Sequence, residues 1–198
     1  MDIKIFITIL MSAVLINNYV LRQFLGVCPF LGVSKELKDA TGMGIAVTAV
    51  MVLATAATWP IHTYFLEKNG LSYLQTIIFI LVIASLVQLV EITLKRFVPF
   101  LHKTLGVFLP LMATNCAIFG VTILNVNNEY TYPEALVNAF GSGLGFLLSM
   151  VLFSGIREYT ENADPPKSFK GLPLTLISAA ILSLSFYGFS GVIENLFH

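Results

Sequence analysis

The chain contains two cysteines, and they occur in similar settings. Cys28 lies in Leu25-Gly26-Val27-Cys28-Pro29-Phe30-Leu31-Gly32-Val33, and Cys116 in Thr114-Asn115-Cys116-Ala117-Ile118-Phe119-Gly120-Val121. In each stretch a glycine follows the cysteine four residues later, and a valine comes next. A buried free cysteine packs as a small hydrophobe, and that reading accounts for either one alone. The matched pair supports a second reading. Neither stretch holds a histidine or carboxylate to make a nucleophilic thiolate. Thiolates in apolar surroundings suit soft metals: iron–sulfur clusters, zinc or Cu(I). An iron–sulfur cluster normally takes four thiolates, and this chain has two. A cluster here therefore needs a second chain carrying a similar pair, and at membrane depth it would relay electrons rather than hydrolyse.

Other polar groups suggest less chemistry. Gln88 and Asn115 read as interhelical hydrogen-bond partners, or as groups lining an ion path. Asn17 and Asn18 read as partners for backbone freed where the first helix breaks. Glu91 with Lys95, and Arg157 with Glu158, read as interfacial ion pairs. His62, His102 and His198 sit at expected interfaces or the end of the chain. There is no phosphate loop, dinucleotide fingerprint or catalytic triad.

The elements that must position these residues follow from composition. Of 198 residues, 57% are hydrophobic and 11% charged, with a mean hydropathy of +0.85. A soluble domain of this length needs more charge to cover its surface, so the chain reads as a polytopic membrane protein. Formal net charge is zero, which gives no reason to expect nucleic-acid binding. The first apolar run, Ile3 to Leu21, shows no small-residue cleavage pattern and is expected to stay in the mature protein. If it continued to Val33 as a straight helix it would measure about 46 Å, against a hydrocarbon core of about 30 Å. It must tilt or break, and Asn17-Asn18, Gly26 and Pro29 offer break points. Further runs cover Ala40 to Tyr64, Leu71 to Leu94, Leu101 to Val126, Glu134 to Ile156 and Leu172 to Ile193.

Six spans put both termini on one side. Lys4 and Lys68 fall on that side. Lys35, Lys38, Lys95, Arg96, Lys103, Arg157, Lys167 and Lys170 fall on the other, and so does Arg22 if it is near the surface. Positive loops stay in the cytoplasm, so both termini are expected outside. Each half holds three spans and one cysteine stretch, followed by Gly42-Met43-Gly44 in the first half and Gly141-Ser142-Gly143-Leu144-Gly145 in the second. An odd number of spans per half inverts the second copy. The expected fold is an all-α membrane protein: one domain, 1–198, of six transmembrane helices. These form two inverted three-helix repeats, about 1–98 and 99–198, with broken helices near the midplane and the cysteines facing each other. The helix-opening glycines read as close-packing sites. Gly26, Gly32 and Gly120, beside the cysteines, read equally as packing sites or as room for a bulky inorganic group.

Residues Asn17-Asn18-Tyr19-Val20-Leu21 and Leu25 to Lys35 resemble the family of A subunits of Rnf complexes. So do Phe108-Leu109-Pro110-Leu111-Met112-Ala113-Thr114-Asn115-Cys116, Gly155-Ile156-Arg157-Glu158 and Phe186 to Gly191. The resemblance covers essentially the whole chain and extends to the D and E subunits of the sodium-pumping NADH:quinone reductase. It implies membership of an ion-translocating ferredoxin:NAD⁺ oxidoreductase in the bacterial inner membrane. It also implies that Cys28 and Cys116 are two of four ligands to an intramembrane [2Fe-2S] cluster shared with the homologous E subunit of the Rnf complex. The B, C, D and G subunits would complete the complex, with Na⁺ or H⁺ as the coupled ion. Two other classes fit the inverted-repeat pattern without a metal: a secondary transporter with a midplane site, and a scaffold whose cysteines only pack.

Overall fold

A computed structural model describes residues 3–16, 18–33, 37–70, 72–97, 115–162, 166, 169 and 171–197. Every regular element among them is helical. Helix α1 (Ile3–Met11) widens into a π turn over Ser12–Ile16 and then breaks. A short α2 (Val27–Val33) follows. Helix α3 (Leu37–Ile61) continues through a second π turn, His62–Leu66, to Asn69. Then come α4 (Gln75–Phe97), α5 (Cys116–Asn127), α6 (Tyr132–Asn162) and α7 (Leu172–Phe197). The order α2-α3-α4 resembles α5-α6-α7: a short helix starting at or beside a cysteine, then two longer ones.

Among the described residues, three segments are long and apolar enough to cross a membrane: Leu37–Leu66, Gln75–Thr93 and Tyr132–Thr160. Cys116–Asn127 and Leu172–Gly188 are shorter apolar helices. Most of the fourth expected run, Leu101 to Thr114, lies outside the described residues, as do Asn17, Lys35, Lys103, Lys167, Lys170, His102 and His198. The fifth run is longer than its apolar pattern. It starts at Tyr132 because Thr131 and Glu134 form a capping box, with Thr131 N and Oγ1 donating to Glu134 Oε2 at 3.0 and 2.7 Å. Pro133, in the first turn, removes no needed donor. At the other end the helix passes Arg157-Glu158 and runs on to Asn162.

Helices α3 and α6 share the most extensive interface and form the centre of the molecule. In lipid, helices gain little from burying apolar surface, so close approach through small residues decides where they cross. A Cβ built on Gly143 would lie 2.5 Å from Thr48 Cγ2, and one on Gly44 would lie 3.0 Å from Leu147 Cγ. These glycines are the crossing point, as close packing requires. Around it Met43, Val47, Met51, Phe146, Met150 and Phe153 are fully buried.

The first helix packs on another face of α6. Gly141 receives Leu10 and Ala13, and Gly145 lies against the Ala13 and Val14 carbonyls. Both helices advance together through these contacts, so α1 and α6 run parallel. In the π turn, Val14 O accepts from Asn18 Nδ2 at 3.4 Å. The second π turn follows Pro60, which has no N–H and crowds the turn before it.

Candidate functional site

Of the three possible break points after α1, the chain uses two. Asn18, 1% exposed, holds the first. Its Oδ1 accepts from Val20 N at 3.1 Å, Leu21 N at 3.2 Å and Ser149 Oγ at 3.0 Å. Its Nδ2 donates to Gly145 O at 2.9 Å and to Val14 O at 3.4 Å. One amide thus satisfies backbone on both sides of the break and ties it to α6. The turn continues with Arg22 N donating to Asn18 O at 2.9 Å and Leu25 N to Tyr19 O at 2.8 Å. Ser183 of α7 donates to Leu21 O. Phe24 (φ 56°) and Gly26 (φ 82°) take left-handed backbone to aim the chain into α2. Glycine adopts that region without strain, and phenylalanine does not. Pro29 is not a break. It sits in the first turn of α2, where a proline costs no helical hydrogen bond.

Cys28 is the second residue of α2 and Cys116 the first of α5. The two helix starts abut. A Cβ on Gly26 would lie 3.0 Å from Ala117 Cβ, 3.0 Å from Asn115 Oδ1 and 3.1 Å from Phe146 Cε2. A Cβ on Gly120 would lie 2.5 Å from Leu25 Cδ1. Gly26 and Gly120 are therefore filled by this chain's own atoms, which settles them as packing sites. Gly32 has open space beside it. Gly26, Asn115 and Ala117 are pressed together and buried, while both thiols are free and exposed on the chain's surface. Among the described residues, no cluster of three or more His, Cys, Asp or Glu side chains is placed to hold a metal ion.

The rest of α2 is fixed from α6. Phe30 stacks on Phe153 with ring centroids 4.1 Å apart. Arg157 Nη1 donates to Leu31 O at 2.7 Å, a cation on the last carbonyls of a helix. Reading Arg157 only as half of an ion pair with Glu158 misses this contact.

Asn115 is the N-cap of α5, not an interhelical partner. Its Oδ1 accepts from Ala117 N at 3.0 Å. Its Nδ2 is buried and finds no acceptor among the described residues. An unpaired buried donor costs about 1–3 kcal/mol. Gln88, by contrast, is exposed on α4.

A second polar cluster lies away from the cysteines. Asn138 Nδ2 donates to Asn125 Oδ1 at 2.7 Å and lies 3.4 Å from Tyr19 Oη, and Asn125 Nδ2 donates to Ala135 O at 3.3 Å. Asn125 also lines a cleft of about 470 Å³ with Trp59, His62, Glu67, Glu129 and Tyr130. Burial pushes the Tyr130 phenol above its ordinary range, and Tyr19 and Glu134 add to the shift. Trp59 Nε1 donates to Tyr130 O at 2.9 Å, joining the end of α3 to the α5–α6 turn. The sequence offers no spacing that pairs Asn125 with Asn138. Their meeting depends on the α5–α6 hairpin closing.

A family model described as Rnf-Nqr subunit, membrane protein, matches residues 6–193. Over 186 residues the chain is 51% identical to the A subunit of the Na⁺-translocating ferredoxin:NAD⁺ oxidoreductase complex of Acetobacterium woodii, an alignment covering 94% of this chain and 97% of that one. It is 49% identical over 192 residues to the A subunit of the ion-translocating oxidoreductase complex of Syntrophotalea carbinolica, covering 97% and 100%. The protein of the same name from Edwardsiella ictaluri is 47% identical over 189 residues, covering 96% and 98%.

Proposed function

This chain belongs to the Rnf-Nqr family of membrane subunits, and from that premise we propose that it carries electrons through the membrane by way of a [2Fe-2S] cluster shared with a homologous partner. Cys28 and Cys116 supply two of the four thiolates, and the homologous E subunit supplies the other two. The observation that carries this reading is the abutment of the two helix starts: Gly26 and Leu25 press on Asn115, Ala117 and Gly120, while the cysteines beside them stay exposed. A protein that used its cysteines only as core would bury them. The donor set fits half a cluster, with two soft ligands and a second chain required for the rest.

When bound, such a cluster supplies a one-electron relay. The chain's own residues provide the mounting. Asn115 caps α5 so that Cys116 opens its first turn. Arg157 and Phe153 hold α2 from behind, and Asn18 fixes the break that brings Gly26 to Ala117. Six spans arranged as two inverted repeats over one domain, 1–198, put the cysteines on opposite arms of a pseudo-two-fold axis. The reaction served is ferredoxin:NAD⁺ oxidoreduction in the bacterial inner membrane, with the B, C, D and G subunits completing the complex. Redox-linked shifts of the broken helices couple it to Na⁺ or H⁺ movement.

The test replaces Cys28 or Cys116 by serine in the assembled complex and follows the iron–sulfur paramagnetic signal together with electron transfer. Each single replacement is expected to abolish one [2Fe-2S] signal and stop turnover, because a two-thiolate half-site has no spare ligand. Full signal and full turnover in either variant would assign the cysteines to packing and favour a metal-free transporter or scaffold.

A further inference from the structure

We infer that Asn115 is a positioning residue for the metal centre, donating a hydrogen bond from Nδ2 to a sulfur of the cluster and so raising its reduction potential; the inference rests on the cluster reading of Cys28 and Cys116. Two observations carry it. The first is the fixed orientation of the amide. Ala117 N needs an acceptor, and Asn115 Oδ1 provides it at 3.0 Å. Turning the amide over would set donor against donor, so Nδ2 is the free end. The second is its burial. Asn115 is 3% exposed, and Nδ2 has no acceptor among the described residues.

The other buried asparagines make the contrast. Asn18 fills both ends of its amide. Asn125 and Asn138 bond one another, and the Asn125 amide also reaches Ala135 O. A native structure leaves few buried donors without partners; Thr55 Oγ1 and Ser154 Oγ share that condition among the described residues, and Asn115 Nδ2 belongs to the residue that adjoins a cysteine. Asn115 directly precedes Cys116, on the segment pressed against Gly26. The sulfur of the adjoining Cys116, which would be a thiolate when metal is bound, is the acceptor this chain itself offers. Its negative charge grows when the cluster accepts an electron, so an N–H donor to it favours the reduced state. Mere capping of α5 needs only Oδ1, and it predicts no effect on the potential.

The experiment uses the intact complex. The relevant signal is the one lost in Cys116→Ser, and its midpoint potential is read by redox titration in wild type and in Asn115→Ser. Serine remains a good N-cap, and its hydroxyl, one bond shorter than the amide, does not extend to the position of Nδ2. Expected is unchanged iron content with the reduction equilibrium shifted about tenfold toward the oxidised form, about 59 mV more negative for a one-electron couple. Asn115→Thr, a second capping variant, is expected to do the same. An exchangeable-proton coupling to the reduced cluster, seen by pulsed paramagnetic resonance after deuterium exchange, is expected in wild type and lost in both. An iron-replete variant with an unmoved potential, or a wild-type cluster with no such coupling, overturns the role of Asn115 alone. A wild-type complex in which no signal depends on Cys116 overturns the cysteine reading and Asn115 with it.

Discussion

A single amide holds the broken end of the first helix together, and its neighbour in kind, Asn115, does half as much with the same groups. Asn18 accepts from two backbone N–H groups and donates to two carbonyls, all within the apolar body of the molecule. Replacing it by leucine strands the N–H groups of Val20 and Leu21, where no water can reach them. We expect Asn18→Leu to cost about 2–4 kcal/mol, given about 1–3 kcal/mol per stranded buried group. Thermal unfolding of the purified complex in detergent measures this, and a loss below about 0.5 kcal/mol, the scale of an ordinary surface change, would remove Asn18 from the account of the break. Asn18 is legible in the sequence because a polar pair interrupts an apolar run too long for the membrane. Pro29 carries an equally strong breaking signal there, yet the structure places it in the first turn of α2. Composition identifies residues able to end a helix. Which of them ends it depends on where the freed backbone finds partners, and α6 supplies those 127 residues away from Asn18.

At the scale of elements, the crossing of α3 and α6 decides the shape of the molecule, and glycines set it. Gly44 and Gly143 are legible as packing sites because Gly-x-Gly pairs in spanning helices favour close approach. Their partners are not legible. Nothing in the sequence selects Thr48 or Leu147 as the residue each must admit. We expect Gly143→Ala to destabilise by about 1–3 kcal/mol, the usual cost of an added methyl group in a tight contact. Its Cβ would stand 2.5 Å from Thr48 Cγ2 and 2.8 Å from Thr48 Cβ. Removing that side chain should relieve it: Gly143→Ala with Thr48→Gly should be more stable than the sum of the two single losses. Strict additivity in that cycle, again by thermal unfolding, would place the crossing elsewhere. The cysteine stretches are legible as a repeated pattern, and the apolar runs give the described helices to within a few residues at most ends. The first and fifth runs differ more: the first helix stops at Met11 and its π turn at Ile16, short of Leu21, and α6 passes Ile156 to reach Asn162. The true start of α6 lies in the Thr131–Glu134 capping box and its true end beyond Arg157. The start is set by a polar contact, to which an apolar pattern is blind.

At the scale of the whole molecule, the contacts sort the described charges by side. Arg157 reaches the end of α2 at Leu31, so the close of α6 and the close of α2 share one surface. Lys38 opens α3 just after α2 on that surface, and α4, returning along α3, brings Lys95 and Arg96 back to it. Trp59 reaches Tyr130, so the far end of α3 and the α5–α6 turn share the other surface. That surface holds Lys68 among Glu67, Glu129 and Glu134. Because α1 runs parallel to α6 through the Gly141 and Gly145 contacts, its N-terminus starts on this less basic surface. Positive loops are retained in the cytoplasm, which predicts the Arg157 surface inside and the N-terminus outside. Six spans would carry the C-terminus to the same outer side. Alkaline phosphatase fused after His198 should therefore be active and a fluorescent protein at the same position dark, with the reverse for fusions made after Phe97, at the end of α4. The same charges predict what their removal does. Neutralising Lys38, Lys95, Arg96 and Arg157 together should give mixed orientation, whereas neutralising Lys68 should leave it unchanged. A bright fluorescent fusion after His198 in the unaltered chain would mean that the surface carrying Arg157 faces outward. The partner that completes the cysteine pair would then have to be sought in the opposite orientation.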